Sequence, residues 1–213
     1  MLSADLCPLC TSDSTPICLI DAQSKWVYQR CQVCDLIFKN AQFHLQPSAE
    51  RERYLQHDNQ ETKGYVDFLS PVSQQVQLYL APPARGLEFG CGPEPVLARL
   101  LERQGFSMSL YDPYFFPELP QEQFAFITCT EAVEHFYQPA RSFNLMNELF
   151  QPGGLVFLLT LLHDQKTDFN SWYYRKDPTH VSFYSAQTMH WLAGRFGWTV
   201  RLCRERLVVL QKQ

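Results

Sequence analysis

The stretch LEFGCGPEP, Leu87 to Pro95, decides how the rest of the chain is read. GLEF (86–89) has the composition of a short buried strand. PVLARLLERQG (95–105) is an amphipathic helix that ends at Gly105. A strand, a glycine turn and a helix together lay a nucleotide-like ligand across a helix N-terminus. The glycines stop early, however. Gly90 and Gly92 are present, and Glu94 stands where a third glycine would pack helix on strand. Glu94 is bulky, and it brings negative charge to the place where a pyrophosphate would sit. The pattern therefore argues against a nicotinamide dinucleotide.

Outward from this turn the pattern repeats. SMSLYD (107–112) is a second strand that closes on Asp112, and FAFITCT (124–130) is a third apolar run. PARSFNLMNELF (139–150) is a helix with Pro139 in its first turn, PGG (152–154) is a turn, and LVFLLTLL (155–162) is a buried strand. SAQTMHWLAGRFG (185–197) is a helix with Ser185 as N-cap and Gly197 as stop. WTVRLCRERLVVLQ (198–211) supplies one or two closing strands. This alternation predicts an α/β fold with a Rossmann-like, doubly wound, mostly parallel sheet. Only PYFFPELPQEQ (113–123) joins Asp112 to Phe124, so a third-strand region is missing or very short. Upstream, residues 47–81 read as helical, with apolar positions at Val66, Leu69, Val72, Val76 and Leu80, and with Pro71 expected to break or kink the helix. APPA (81–84) marks a boundary.

The chain has 213 residues, 46% hydrophobic, which suits one ordinary domain and a small appendage. A net charge of −4 gives no global attraction to nucleic acid or anionic membrane. The N-terminus has no basic region followed by an apolar core, which predicts no signal peptide. The longest apolar run, 154–162, falls far short of the ~20 residues of a membrane span. These features predict a cytoplasmic protein with no membrane partner.

Of eight cysteines, four form two C-x-x-C pairs, Cys7/Cys10 and Cys31/Cys34, with twenty residues between the pairs. In a reducing compartment such pairs read as a metal site, and two thiolate pairs close a tetrahedron with no open position. Zinc fits, and iron uses the same ligands. ICLIDAQSKWVYQRC (17–31) alternates like two short strands around a polar turn. The segment has too little apolar material to fold alone, so a metal staple makes sense. It resembles a zinc ribbon. Its only basic residues are Lys25, Arg30 and Lys39, which makes nucleic acid a poor partner. The reading divides the chain into a ribbon (1–45), a helical linker or lid (46–82) and a Rossmann-like domain (83–213).

Glu88-x-Gly90-x-Gly92, followed by Asp112 at the end of strand two, resembles the class I S-adenosylmethionine-dependent methyltransferases. FAFITCTEAVEHFYQP (124–139), LFQPGGLVFLLT (149–160) and WYYRKDPTHVSFYS (172–185) resemble later stretches of the same family, in a bacterial subgroup that carries an N-terminal cysteine ribbon. Some relatives methylate nucleotide-activated sugars. The resemblance implies S-adenosylmethionine as cofactor, with Glu88 facing its cationic methionine end and Asp112 its ribose. It further implies cofactor contacts at Gly90, Cys91, Gly92, Pro113, Thr130 and Glu131. Ala125 departs from the family, which often has an aspartate there. The short 113–123 segment also departs, and leaves Tyr114, Phe115 or Phe116 to support the adenine.

Each residue also has a plainer reading. Asp112 precedes proline and could serve only a turn. Glu131 could be a solvated loop acid. His135 and His180 are the acid–base candidates, because imidazole takes a proton near neutral pH. His135 could instead be a cap, and His180 a loop residue. Tyr54, His57 and Tyr65 are candidates for a lid, and Trp172, Tyr173 and Tyr174 for an acceptor pocket. Cys91 and Cys129 read as small fillers. The expected function is methyl transfer to a small molecule, a sugar or a protein. The alternative is a degenerate fold that serves as a binding or adaptor module.

Overall fold

The computed structural model describes residues 5–56 and 60–213. Its N-terminal segment opens with two matching turns. In each, the fourth residue after the first cysteine adopts a left-handed conformation and donates to that cysteine's carbonyl: Thr11 N to Cys7 O at 2.9 Å and Asp35 N to Cys31 O at 3.0 Å. Between the turns run strands β1 (Ile17–Ile20) and β2 (Val27–Arg30), and β3 (Ile37–Lys39) follows. The three pair antiparallel in chain order.

Helices α1 (Pro47–Leu55) and α2 (Lys63–Tyr79) come next. Pro71 lies inside α2 without ending it, so of the expected break or kink the break does not occur. Proline leaves the carbonyl four residues back without its N–H partner. Here that carbonyl is Asp67 O, and the Ser70 hydroxyl donates to it at 2.9 Å. The helix continues because a side chain replaces the missing bond. α2 buries Leu69, Val72 and Val76, so it is a layer of the core as well as a linker.

The main sheet is built from β4 (Arg85–Phe89), β5 (Ser107–Tyr111), β6 (Phe124–Thr130) and β7 (Phe150–Leu159), with α3 (Val96–Arg103) and α4 (Pro139–Leu149) between them. A two-residue strand, β8 (Ser182–Phe183), precedes α5 (Ala186–Phe196) and the closing hairpin of β9 (Trp198–Cys203) and β10 (Leu207–Lys212). The strand order is β5-β4-β6-β7-β10-β9. The first four strands are parallel, and β10 and β9 are antiparallel additions. The PGG turn is taken up within β7 as a bulge, since Phe124 pairs with Phe150 and Phe126 with Leu155. Among the described residues no strand lies beyond β5, in agreement with the short 113–123 segment.

Side chains alternate between the two faces of the sheet. Leu155, Phe157 and Leu159 join Leu69, Val72 and Leu101 of α2 and α3 on one face. Val156 and Leu158 join Phe143, Met146, Met189 and Leu192 of α4 and α5 on the other. Cys7, Cys31, Cys34 and Leu36 belong to that second core, so the cysteine segment is packed into the main domain. β8 also extends the N-terminal sheet, with Ile37 opposite Phe183 and Phe38 opposite Ser182. Among the described residues, no helix is long and apolar enough to cross a membrane.

Candidate active site

β4, β5 and β6 end side by side, and a cavity of ≈ 350 Å³ opens at their carboxyl ends. This is where open α/β sheets hold ligands. Gly90, Cys91, Gly92, Asp112, Pro113, Thr130 and Glu131 line it, as do Glu88, His135 and His180. The sequence candidates for cofactor and acid–base roles therefore meet around one space.

The turn after β4 is built for glycine. Gly90 has φ +74°, and a Cβ there would come within 2.7 Å of the Ala132 Cβ. Gly92 has φ +63° and faces open space, so its backbone is left accessible to a ligand. Asp112 fastens this turn to the end of β5. Its Oδ2 accepts from Gly92 N at 3.0 Å, while Oδ1 accepts from Tyr114 N at 2.8 Å and Phe115 N at 3.1 Å. Asp112 thus does the turn work of its plainer reading and lines the cavity as well.

Glu88 reaches under α3, where its Oε2 accepts from Ala98 N at 2.8 Å. Ala98 is the third helical residue, so a strand carboxyl caps a helix whose own N-cap, Pro95, offers no side-chain cap. Burial pushes the Glu88 carboxyl up to about 8, against the Ala98 N–H and Arg99, which lower it, and with Glu102, which raises it. Tyr65, Cys91 and Cys129 also feel its charge. Glu94 contributes nothing to the cavity. It is exposed and bonds Arg99 at 3.2 Å, so the charge it was expected to place beside a ligand points to solvent.

A cationic ligand in this cavity would lower the Glu88 pKa and release a proton. Affinity for S-adenosylmethionine is therefore expected to rise with pH below 8, by up to about tenfold per pH unit, and to level off above it. Calorimetric titrations from about pH 6 to about pH 9 read this slope, and Glu88→Gln should flatten it. A slope unchanged in the variant would assign the dependence to another group.

Beyond β6, Glu131 holds a left-handed φ of +46°. Its Oε1 is buried without a hydrogen bond, and Arg206 Nη1 lies 3.7 Å away. Burial raises this carboxyl to about 7. Glu134 is fully buried. It accepts from Tyr174 Oη at 2.5 Å and from Thr160 Oγ1 at 3.0 Å. Burial, then the nearby Glu131, pushes it up to about 8.

His135 and His180 are far apart in sequence, yet their rings meet edge to face at 4.7 Å. His135 Nδ1 lies 3.2 Å from Thr179 O, and His180 Nδ1 lies 2.6 Å from Tyr174 O. A carbonyl can only accept, so each Nδ1 carries a proton, and Nε2 is the ring atom left for proton transfer. The cysteine segment supports the His180 loop. Lys39 donates its Nζ to Pro178 O at 2.9 Å and its backbone N–H to Val181 O at 2.8 Å.

The roof comes from the linker helices. Tyr54, Tyr65 and Phe68 line the cavity, while His57 lies outside the described residues. Glu50 escaped the sequence reading, because an acid in ERERYL resembles a solvated helix face. It is buried, and it accepts from Tyr54 Oη and Tyr114 Oη, both at 2.6 Å. Tyr114 lines the cavity, and Phe115 and Phe116 do not. A second cavity of ≈ 550 Å³ shares Phe68, Glu131 and His180 and adds Tyr173, Tyr174, Lys176 and Arg206. Trp172 packs with Phe183 and Tyr174. Cys129 is fully buried beneath the site.

The four paired cysteines converge, with one sulfur from each within 4.8 Å of the others. Cys7 Sγ lies 3.5 Å from Cys34 Sγ, and Cys10 Sγ lies 3.3 Å from Cys31 Sγ. These separations exceed the disulfide length of about 2.05 Å and approach the ~3.8 Å edge of a four-thiolate zinc tetrahedron. Val33 N donates to Cys31 Sγ at 3.4 Å.

Parallel strands that end in a glycine turn, with a carboxylate closing the next strand, define a Rossmann-like fold with its ligand site at the strand ends. The methyltransferase-domain family profile matches residues 52–202. The chain belongs to that methyltransferase-domain family. Solved structures share the fold at low identity. A complex of the Haloferax volcanii Trm112 methyltransferase activator with a candidate methyltransferase aligns at 10% identity over 76% of this chain and 96% of that one, with a TM-score of 0.57. The Synechocystis magnesium protoporphyrin IX methyltransferase with bound S-adenosylhomocysteine aligns at 12% identity over 78% and 94%, with a TM-score of 0.54. A Mesorhizobium loti S-adenosylmethionine-dependent methyltransferase aligns at 12% over 68% and 100%, with a TM-score of 0.50. Comparison with curated proteins gives no match.

Proposed function

We propose that this protein holds S-adenosylmethionine in the cavity at the ends of β4, β5 and β6 and methylates an oxygen or nitrogen of a small-molecule acceptor. A sugar is one such acceptor, and a protein side chain is the wider alternative. The observation that carries it is the convergence of Glu88, Gly92, Asp112 and Glu131 with His135 and His180 around one cavity. The cofactor, when bound, supplies an electrophilic methyl group. Gly90 and Gly92 give it backbone access, Glu88 matches its cationic end, and Asp112 holds the turn that faces its ribose. Tyr114, fixed by Glu50, replaces the missing third strand as an adenine support. The acceptor enters from the second cavity, past Tyr173 and Arg206, and meets His180 where the two spaces join. Nε2 of His180 or His135 takes the acceptor proton, and the protein's main contribution is alignment.

We further propose that the four cysteines hold a structural zinc. Two matched turns with sulfurs at the right spacing fit a closed site, which has no place for substrate. On this reading the cysteine unit spans 1–45 and the linker and lid 46–82, both serving a methyltransferase domain at 83–213 in a cytoplasmic protein. The short 113–123 segment, which leaves β5 at the sheet edge without the strand that would flank the adenine, favours a second reading, binding without turnover. Single-turnover assays with labelled S-adenosylmethionine and a panel of sugars and phenols test the choice. Label transfer lost in His180→Gln supports catalysis. Tight cofactor binding with no transfer to any acceptor class supports the second reading.

A further inference from the structure

We propose that Glu134, His135 and His180 form a second metal site, open to the cavity, for a divalent transition-metal ion such as zinc or iron. One ligand atom from each of the three lies within 4.8 Å of the others. With ligand bonds of about 2.0–2.2 Å around a tetrahedral ion, neighbouring donors sit about 3.3–3.6 Å apart, so loading draws together three groups that already lie within 4.8 Å of one another. Two imidazoles and one carboxylate suit zinc or ferrous iron rather than magnesium or calcium, which prefer oxygen donors.

The surroundings match what a metal site needs. A ligating histidine usually donates its other ring N–H to a carbonyl or carboxylate, and a ligating carboxylate is itself hydrogen-bonded. Here both Nδ1 atoms face backbone carbonyls, Thr179 O and Tyr174 O. Glu134 accepts from the hydroxyls of Tyr174 and Thr160. All three candidate residues carry side-chain atoms that can offer a lone pair to a metal ion. His135 and His180 line the cavity, so open coordination positions would face it. Glu131, three residues before Glu134, adds a buried Oε1 without a hydrogen bond to the same wall. The four-cysteine cluster is closed, whereas this one is open, and the two ask for metal in different roles. If the methyl-transfer reading holds, metal loading makes both Nε2 atoms ligands instead of proton acceptors, and the open positions suit an acceptor with two adjacent oxygen donors. The metal binding itself does not depend on that reading.

The test is equilibrium dialysis of the full-length protein against micromolar zinc, followed by metal analysis. Wild type should hold one equivalent more than His180→Gln and His135→Gln. Cobalt substitution separates the sites, because thiolate-to-cobalt charge-transfer bands arise only at the cysteines. Those bands should persist in both histidine variants, which also shows that the variants are folded. Tyr174→Phe removes an outer-shell hydrogen bond and no ligand, and should weaken the second equivalent about 10- to 100-fold. A wild-type protein whose only bound metal sits at the thiolates would overturn the proposal. So would a second equivalent that both histidine variants retain at full affinity.

Discussion

Replacement of Cys34 by serine is expected to strip the zinc proposed here and to remove most of the chain's stability. Cys34 is fully buried, and its sulfur lies 3.5 Å from that of Cys7. A four-ligand structural zinc contributes about 10–16 kcal/mol of folding energy in isolated finger peptides. A domain's whole stability is about 5–15 kcal/mol. Loss of even a third of the metal's contribution, about 5 kcal/mol, lowers the Tm of a chain this size by roughly 10–20 °C. The damage spreads because the cysteine unit is not a tethered bead. Its sulfurs share a core with Phe143 and Met189, and β3 carries the strand that follows His180. Scanning calorimetry with metal analysis reads the effect, and Cys18→Ser at an exposed thiol serves as control. A Cys34→Ser protein that melts with wild type would show that the four thiols hold nothing structural.

Asp112→Ala is expected to weaken S-adenosylhomocysteine binding about 30- to 150-fold, through a loss of about 2–3 kcal/mol. The carboxylate accepts three backbone N–H groups, from Gly92, Tyr114 and Phe115. Without it the glycine turn loses its tie to β5, and Tyr114 loses the anchor that sets it over the cavity. Asp112→Asn should fall between wild type and alanine. Its one carbonyl oxygen can still serve Tyr114 and Phe115, but its NH2 then opposes the Gly92 N–H. Calorimetry on the three proteins gives the order. Equal affinity in wild type and alanine variant would remove Asp112 from the cofactor site.

The frame of the domain was legible in the sequence because it is local. Apolar runs and helix stops such as Gly105 and Gly197 announce themselves within a dozen residues. The cysteine spacing announced the convergence of four sulfurs for the same reason. What escaped depends on contacts distant in sequence. Pro71 reads as a breaker until Ser70 is seen bonding the orphaned carbonyl of Asp67. Glu50 looks solvated until Tyr114, from a segment far along the chain, lies against it. The cysteine unit looks separate until β8 pairs with β3. The candidate site was half legible. Residues at strand ends could be placed by topology, whereas the meeting of Glu134 and His135 with His180 needs the loop that Lys39 holds in place.

The most direct measurement is calorimetric titration of the purified, metal-loaded protein with S-adenosylhomocysteine, with NADH titrated in parallel. One molecule of S-adenosylhomocysteine should bind per chain in the micromolar range, and NADH should give no heat. Absence of S-adenosylhomocysteine binding by a folded protein, or tighter binding of NADH, would contradict the cofactor site assigned to Glu88, Gly90, Gly92 and Asp112.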